Sequence, residues 1–194
     1  LFVDREGSIW VGTNAGLLRF ADTPFGSYDT YQGLADNYVR SVLQLPDGSV
    51  LIGSSGGLDR WKDGRIEPVS REEGGIGNEA VLSLAHGRDG SVWVGMYSLG
   101  LYQLRDGKVV SQLGAGDGLL GPQVRAIVEA RNGDLWIGTS SGLFRRRADG
   151  RIDRFDERDG LPRNFVVALH EAQDGRLWIG TSNGLAVREG EHFR

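Results

Sequence analysis

The chain has 194 residues, 39% hydrophobic and 25% charged, with a formal net charge of −4 from 22 basic and 26 acidic residues. That is globular composition, long enough for one substantial core, and the interspersed signs leave no basic tract for nucleic acid and no acidic disordered tail. No apolar run approaches the ~18 residues a membrane-spanning helix needs, and the lack of cysteine excludes disulfides, thiolate metal sites and cysteine nucleophiles.

The chain starts at Leu1 with no initiator Met and no signal-like segment, as expected of a mature region or an excised domain. Glycine numbers 31, about double its ordinary share, and such usage without low complexity points to a repeat.

In chain order, residues 1–4 read as the end of a strand, followed by GSIWVGTNAGL at 7–17. Ile9 and Val11 alternate with Trp10, a period of two and hence a strand. Gly12, on the Trp side, leaves room beside the ring or for a neighbouring backbone. Gly16 reads as a positive-φ turn leading to the next strand. The next unit begins with the apolar run VRSVLQL (39–45), followed by GSVLIGSSGGL (48–58), a third strand over 58–61, an Asp63-Gly64 hairpin turn and a short polar fourth strand. Three further units follow: AVLSLAH (80–86) with GSVWVGMYSLGL (90–101), VRAIVEA (124–130) with GDLWIGTSSGL (133–143), and FVVALHEA (165–172) with GRLWIGTSNGL (175–185).

The apolar runs carry Ser or Ala at one fixed place (Ser41, Ser83, Ala126, Ala168), and both their faces are apolar, as in a strand held between two sheets. A Gly-Leu or Gly-Ile step (Gly33-Leu34, Gly75-Ile76, Gly118-Leu119, Gly160-Leu161) returns the chain to each new unit. The repeat is 41–43 residues long and contains four antiparallel strands, which predicts an all-β fold. Specifically, it predicts a single β-propeller over 1–194 with blades at about 1–31, 38–70, 79–113, 122–155 and 164–194, the first and last incomplete. The five blades either close as a ring or form part of a larger one, for instance seven-bladed; the clipped ends favour the part.

The residues DGRLWIGTSNGL (174–185) and the preceding DGL step (159–161) resemble the two-component regulator propeller repeat. The resemblance covers essentially the whole chain. Blade 2 departs from it with Leu51 for Trp and Ser54 for Thr, and blade 3 with Met96 and one extra residue before Gly100. The resemblance implies a periplasmic or extracellular sensing part of a bacterial membrane receptor, with a histidine kinase or diguanylate cyclase as output, and in several members a polysaccharide fragment as signal.

No phosphate-binding loop, G-x-S-x-G, H-E-x-x-H or EF-hand pattern occurs, so no catalytic residue, metal or cofactor is assigned. The Asp-Gly pairs read as turns, not calcium ligands. His86 and His170 lie near inner-strand ends and His192 near the C-terminus; the first two read as sheet-packing or turn residues. A streptogramin-lyase-like enzyme is the catalytic alternative, with Glu129 and Glu171 as candidates by position. Trp10, Trp93, Trp136 and Trp178 read as blade-packing residues and Trp61 as a more exposed edge residue.

Specificity on a repeat fold sits where the repeats differ. A channel mouth would be built from the loops entering the inner strands (Asp36, Asn37, Tyr38; Asn78, Glu79; Pro122, Gln123; Arg163, Asn164), from Arg40 and Arg125 one residue into two inner strands, and from the irregular loop 96–99. Asn37, Tyr38, Arg40, Asn78, Gln123, Arg125, Arg163 and Asn164 are the ligand-binding candidates, suited to an oligosaccharide or other small, anionic ligand. Self-association through open blade edges is the competing expectation, as a protein-interaction or scaffold propeller.

Overall fold

The computed structural model describes residues 1–5, 7–14, 16–20, 26–69, 75–190 and 192–194. These form five sheets, each of four antiparallel strands in sequential order. Blade 1 comprises β1 (Phe2–Val3), β2 (Ile9–Thr13), β3 (Gly16–Phe20) and β4 (Gly26–Tyr28). Blade 2 comprises β5 (Val39–Gln44), β6 (Val50–Ser54), β7 (Gly57–Lys62) and β8 (Arg65–Pro68). Blade 3 comprises β9 (Val81–His86), β10 (Val92–Met96), β11 (Leu101–Arg105) and β12 (Lys108–Leu113). Blade 4 comprises β13 (Val124–Glu129), β14 (Leu135–Thr139), β15 (Gly142–Arg146) and β16 (Ile152–Phe155). Blade 5 comprises β17 (Val166–Glu171), β18 (Leu177–Thr181), β19 (Gly184–Glu189) and β20 (His192–Phe193). The outer strand expected at 191–194 includes Glu191, which lies outside the described residues, as do residues 21–25 and 70 of the expected blades 1 and 2.

Consecutive inner strands β5, β9, β13 and β17 lie side by side. Between blades, single 3-10 turns over Thr30–Gln32, Ala115–Asp117 and Glu157–Asp159 end on Gly33, Gly118 and Gly160 in the left-handed region. The residue after each glycine, Leu34, Leu119 or Leu161, is buried, and so is Ile76 at the corresponding step of blade 3. The Gly-Leu step is thus a turn that drives an aliphatic anchor inward.

What joins the blades is a repeated seat. The glycine of each Trp strand pairs with the small residue of its own inner strand, as in Ser41↔Gly53, Ser83↔Gly95 and Ala126↔Gly138. The gap receives the first valine of the next inner strand. A Cβ on Gly12, Gly53, Gly95 or Gly138 would stand 2.8, 2.6, 2.7 or 2.6 Å from Cγ1 of Val39, Val81, Val124 or Val166. The room left by Gly12 therefore holds the neighbouring blade's side chain and not its own indole. Apolar clusters line each junction: around Trp10 and Ile52, around Leu51 and Val92, around Trp93 and Phe144, and around Trp136 and Ile179.

Blade 5 has no such neighbour on its far side among the described residues. Leu17, Leu58, Leu101 and Leu143 are 0% exposed, whereas their counterpart Leu185 is 60% exposed. A Cβ on Gly180 would meet only Ala168 of its own sheet. The blades form an arc that is not closed. Trp10, Trp93 and Trp136 are buried in the junctions, while Trp178 is half-buried for want of a next blade. Trp61 is more exposed than Trp10, Trp93 and Trp136, as expected, but its role as an edge residue is corrected: it is half-buried, and its ring meets Trp10 at 5.2 Å and Tyr28 at 6.1 Å, both edge-on. It packs across the junction of blades 1 and 2 because its strand position faces the previous blade's Trp. Among the described residues no helix is long and apolar enough to cross a membrane.

Candidate functional site

A β-bulge between the first and third residues of each of the inner strands β5, β9, β13 and β17 places their side chains. The first residue (Val39, Val81, Val124, Val166) enters the neighbouring blade's seat. The second (Arg40, Leu82, Arg125, Val167) is the extra residue of the bulge, left without a cross-strand partner and re-aimed out of the junction. These four second residues line one cavity of about 310 Å³ together with Asn14, Tyr38 and Val39, so all five blades contribute to it. Entering and leaving loops meet at the same end: the amides of Ser55, Tyr97 and Ser182 donate to the carbonyls of Tyr38, Ala80 and Phe165.

The two guanidinium groups are held by flat rings and neutral acceptors. Arg40 lies 4.3 Å over the Tyr38 ring, and its Nε donates to Ser55 Oγ at 3.3 Å. Arg125 lies 4.6 Å over the ring of Phe165 from the next blade, and donates to Gln123 Oε1 at 3.0 Å. Neither makes an ion pair among the described residues. Two cations, an accessible phenol, an amide and three aliphatic groups lining one concavity suit a polar, negatively charged ligand with apolar faces.

The eight candidates divide. Tyr38, Arg40 and Arg125 gather in the cavity, and Gln123 orients Arg125. Asn37 and Asn164 do equivalent structural work, accepting from the amides of Thr30 and Glu157, so their carbonyls brace the inter-blade turns. Arg163 is ion-paired with Glu157 at 3.6 Å, and Asn78 is exposed outside the lining. Asn14, Leu82 and Val167 were missed; aligning the second residue of every inner strand would have found the latter two. In the irregular loop, Glu79 accepts from the Ser98 amide at 3.2 Å and from the Ser98 hydroxyl, while Met96 is buried. That loop is fastened to the entering loop of its own blade.

The carboxylates considered for catalysis are engaged in blade junctions. Glu129 accepts from Trp93 Nε1 at 2.9 Å and from the Arg88 amide at 3.1 Å. Glu171 accepts from the Arg131 amide. His86 pairs with Val92 and His170 with Trp178, one residue apart in the blade register. Among the described residues no three His, Asp or Glu side chains come together as a metal site. The turn aspartates hold their own hairpins. Hydrogen bonds from Ser49, then Lys62, lower the Asp47 carboxyl below its ordinary range, and Ser91 does the same for Asp89. Arg176 lowers Asp174 through its side chain and amide, and Arg151 lowers Asp149 through its amide and side chain.

Residues 118–141 and 160–183 match the family described as Two component regulator propeller. No curated protein matches the chain. Among solved structures, the extracellular domain of a hybrid two component system from B. thetaiotaomicron is similar at 24% identity, over 97% of this chain and 27% of that one, with a TM-score of 0.84. The extracellular domain of a one component system from the same organism gives 24% identity, 93% and 25% coverage and a TM-score of 0.79. Virginiamycin B lyase from Staphylococcus aureus gives 17% identity, 100% and 67% coverage and a TM-score of 0.76. The chain spans about a quarter of the length of the first two. These likenesses establish the propeller fold and leave function to the site.

Proposed function

We propose that these blades, two segments of which match the two-component regulator propeller family, are part of the ligand-sensing propeller of a bacterial signalling receptor, placed outside the cytoplasm. The ligand is a small anionic molecule or an acidic oligosaccharide held at the channel mouth, and the role is binding, not catalysis. One observation carries this reading: Tyr38, Arg40 and Arg125 converge with Asn14, Leu82 and Val167 on a single cavity, and neither guanidinium is neutralised by a carboxylate of the described residues. A scaffold residue has no need of an unpaired cation beside a concavity, whereas an anion-binding group does. The extracellular sensor domains of similar fold support the receptor setting.

The test is calorimetric titration of uronic-acid-containing oligosaccharides and their neutral counterparts. Saturable binding of the acidic set is expected, lost in Arg40→Ala/Arg125→Ala while that variant keeps its unfolding midpoint. Binding that survives the double substitution places the ligand elsewhere and refutes the assignment.

The far face of blade 5 favours a second reading, self-association: Leu185 is exposed there and no described residue of a further blade fills the Gly180 seat. Light scattering across a concentration series decides it. Leu185→Lys should convert any oligomer to monomer, and a monomer at all concentrations removes this reading.

A further inference from the structure

Blade 2 is the one unit whose motif has lost its indole, since Leu51 stands where Trp10, Trp93, Trp136 and Trp178 stand. The surroundings of the missing ring are nevertheless kept. In blades 1 and 4 an arginine of the third strand pairs with the Trp position, Trp10↔Arg19 and Trp136↔Arg145, and its guanidinium lies 5.5 Å over each indole. Blade 2 retains that arginine in register, Leu51↔Arg60. Its Nε donates to Ser49 Oγ at 2.9 Å, as Arg19 Nε donates to Ser8 Oγ at 3.2 Å. The opposite wall belongs to the next blade. There Leu104 pairs with Val92 as Trp61 pairs with Val50 and Arg188 with Leu177, and Trp61 and Arg188 are the residues that cover Trp10 and Trp136.

Between these walls lies a cavity of about 420 Å³, lined by Leu45, Leu51, Arg60, Val69, Val92 and Leu104, with Asp47 and Asp106 at its rim. The other three blade junctions bury an indole or an indole with its covering ring at this place. Here five side chains of the lining are aliphatic and one is a cation positioned for a ring face. A cavity of about 150 Å³ lined by apolar side chains already accepts benzene, so an indole-sized group is well within reach.

We infer that the junction of blades 2 and 3 is a binding site for a planar aromatic group, which takes the place of the absent indole and stacks beneath Arg60. This site is separate from the channel mouth and does not depend on its reading. The ring is recognised by shape and by the arginine above it, with its polar substituent directed to the open rim between Asp47 and Asp106.

Free indole is the probe. Calorimetry and thermal unfolding should show saturable binding to the unaltered chain and an unfolding midpoint that climbs with indole concentration. Leu51→Trp supplies the ring covalently: its midpoint should rise by several degrees without ligand, and the response to indole should vanish. Arg60→Gln leaves the cavity and should weaken indole several-fold. If circular dichroism shows that Leu51→Trp has lost its sheet, Leu104→Trp closes the cavity from the other wall and should abolish the response in the same way. No binding to the unaltered chain, or an undiminished response in the variant that closes the cavity, overturns the site.

Discussion

Gly138→Ala and Gly180→Ala are the same chemical change at the same motif position, yet they should differ by about 2 kcal/mol. A Cβ on Gly138 would stand 2.6 Å from Val166 Cγ1, 3.1 Å from Val166 Cβ and 3.3 Å from Ala126 Cβ. Carbon pairs prefer about 3.5–4.0 Å, so the nearest approach falls short by roughly 1 Å. Val166 cannot swing aside, because it is fully buried and stiff at χ1, so the two blades themselves must part. Overpacking of this kind costs about 1–3 kcal/mol, against a gain of about 0.4–1 kcal/mol from restricting the unfolded glycine. A Cβ on Gly180 meets Ala168 at 3.2 Å and nothing from a further blade, so its cost is within about 0.5 kcal/mol of zero. Urea unfolding followed by circular dichroism measures both. Val166→Ala alone should cost about 2 kcal/mol, and combined with Gly138→Ala it should cost at least 1 kcal/mol less than the sum, since one change makes room for the other. Equal losses at Gly138 and Gly180, or strict additivity in the double variant, would show that the valine seat does not hold the blades together.

Three further outcomes follow from the same geometry. Arg145→Met leaves Asp134 buried without the guanidinium whose Nε and Nη2 both meet its Oδ2, at 2.7 and 2.6 Å, and should cost about 3 kcal/mol; Arg145→Met/Asp134→Asn should recover most of the loss, read as thermal midpoints. Gly16→Ala forces a side chain onto a φ of +124° with its Cβ 2.5 Å from the Tyr28 carbonyl oxygen, and should cost about 2 kcal/mol in chemical unfolding. The Asp47 carboxyl is lowered in the fold by Ser49, then Lys62, from an ordinary value of 3.8, so its contribution is present above pH 4 and lost as the pH falls further. Being partly exposed, it should contribute less than about 1 kcal/mol, and Asp47→Asn should flatten the acid side of the stability profile by that amount.

The strands were legible because the repeat writes each of them several times over. Ile9, Trp10 and Val11 alternate on their own, and four further copies of the pattern remove any helical reading. The turns were legible because Asp63-Gly64 and Asp106-Gly107 are chemically suited to the paired positive φ values they adopt, 48° and 80°, then 52° and 75°. The valine seat was not legible. Its glycine, small residue and valine come from two blades and only meet once the sheets are packed, so Gly12 taken alone suggested a neighbouring backbone, whose Val39 carbonyl does come within 3.4 Å of a Cβ built there, but not the valine side chain that fills the gap. The roles of Asn37 and Asn164 were hidden for a similar reason: a loop asparagine that will accept from an amide seven residues away looks the same in sequence as one that waits for a ligand.

The seat explains where variation is free. At the first residue of the inner strand the gap beside glycine admits a compact, branched head, and the chain holds valine there four times, at Val39, Val81, Val124 and Val166. One residue further the side chain leaves the junction for the channel, where no neighbouring blade dictates its shape, and the identities become Arg40, Leu82, Arg125 and Val167. A substitution at the first position pushes blades apart, while one at the second alters only what the cavity presents. The same contrast singles out Leu51. It lies at a position whose other occupants are dictated by packing, so its difference leaves space in the junction, and Arg60 remains in register to face whatever fills that space.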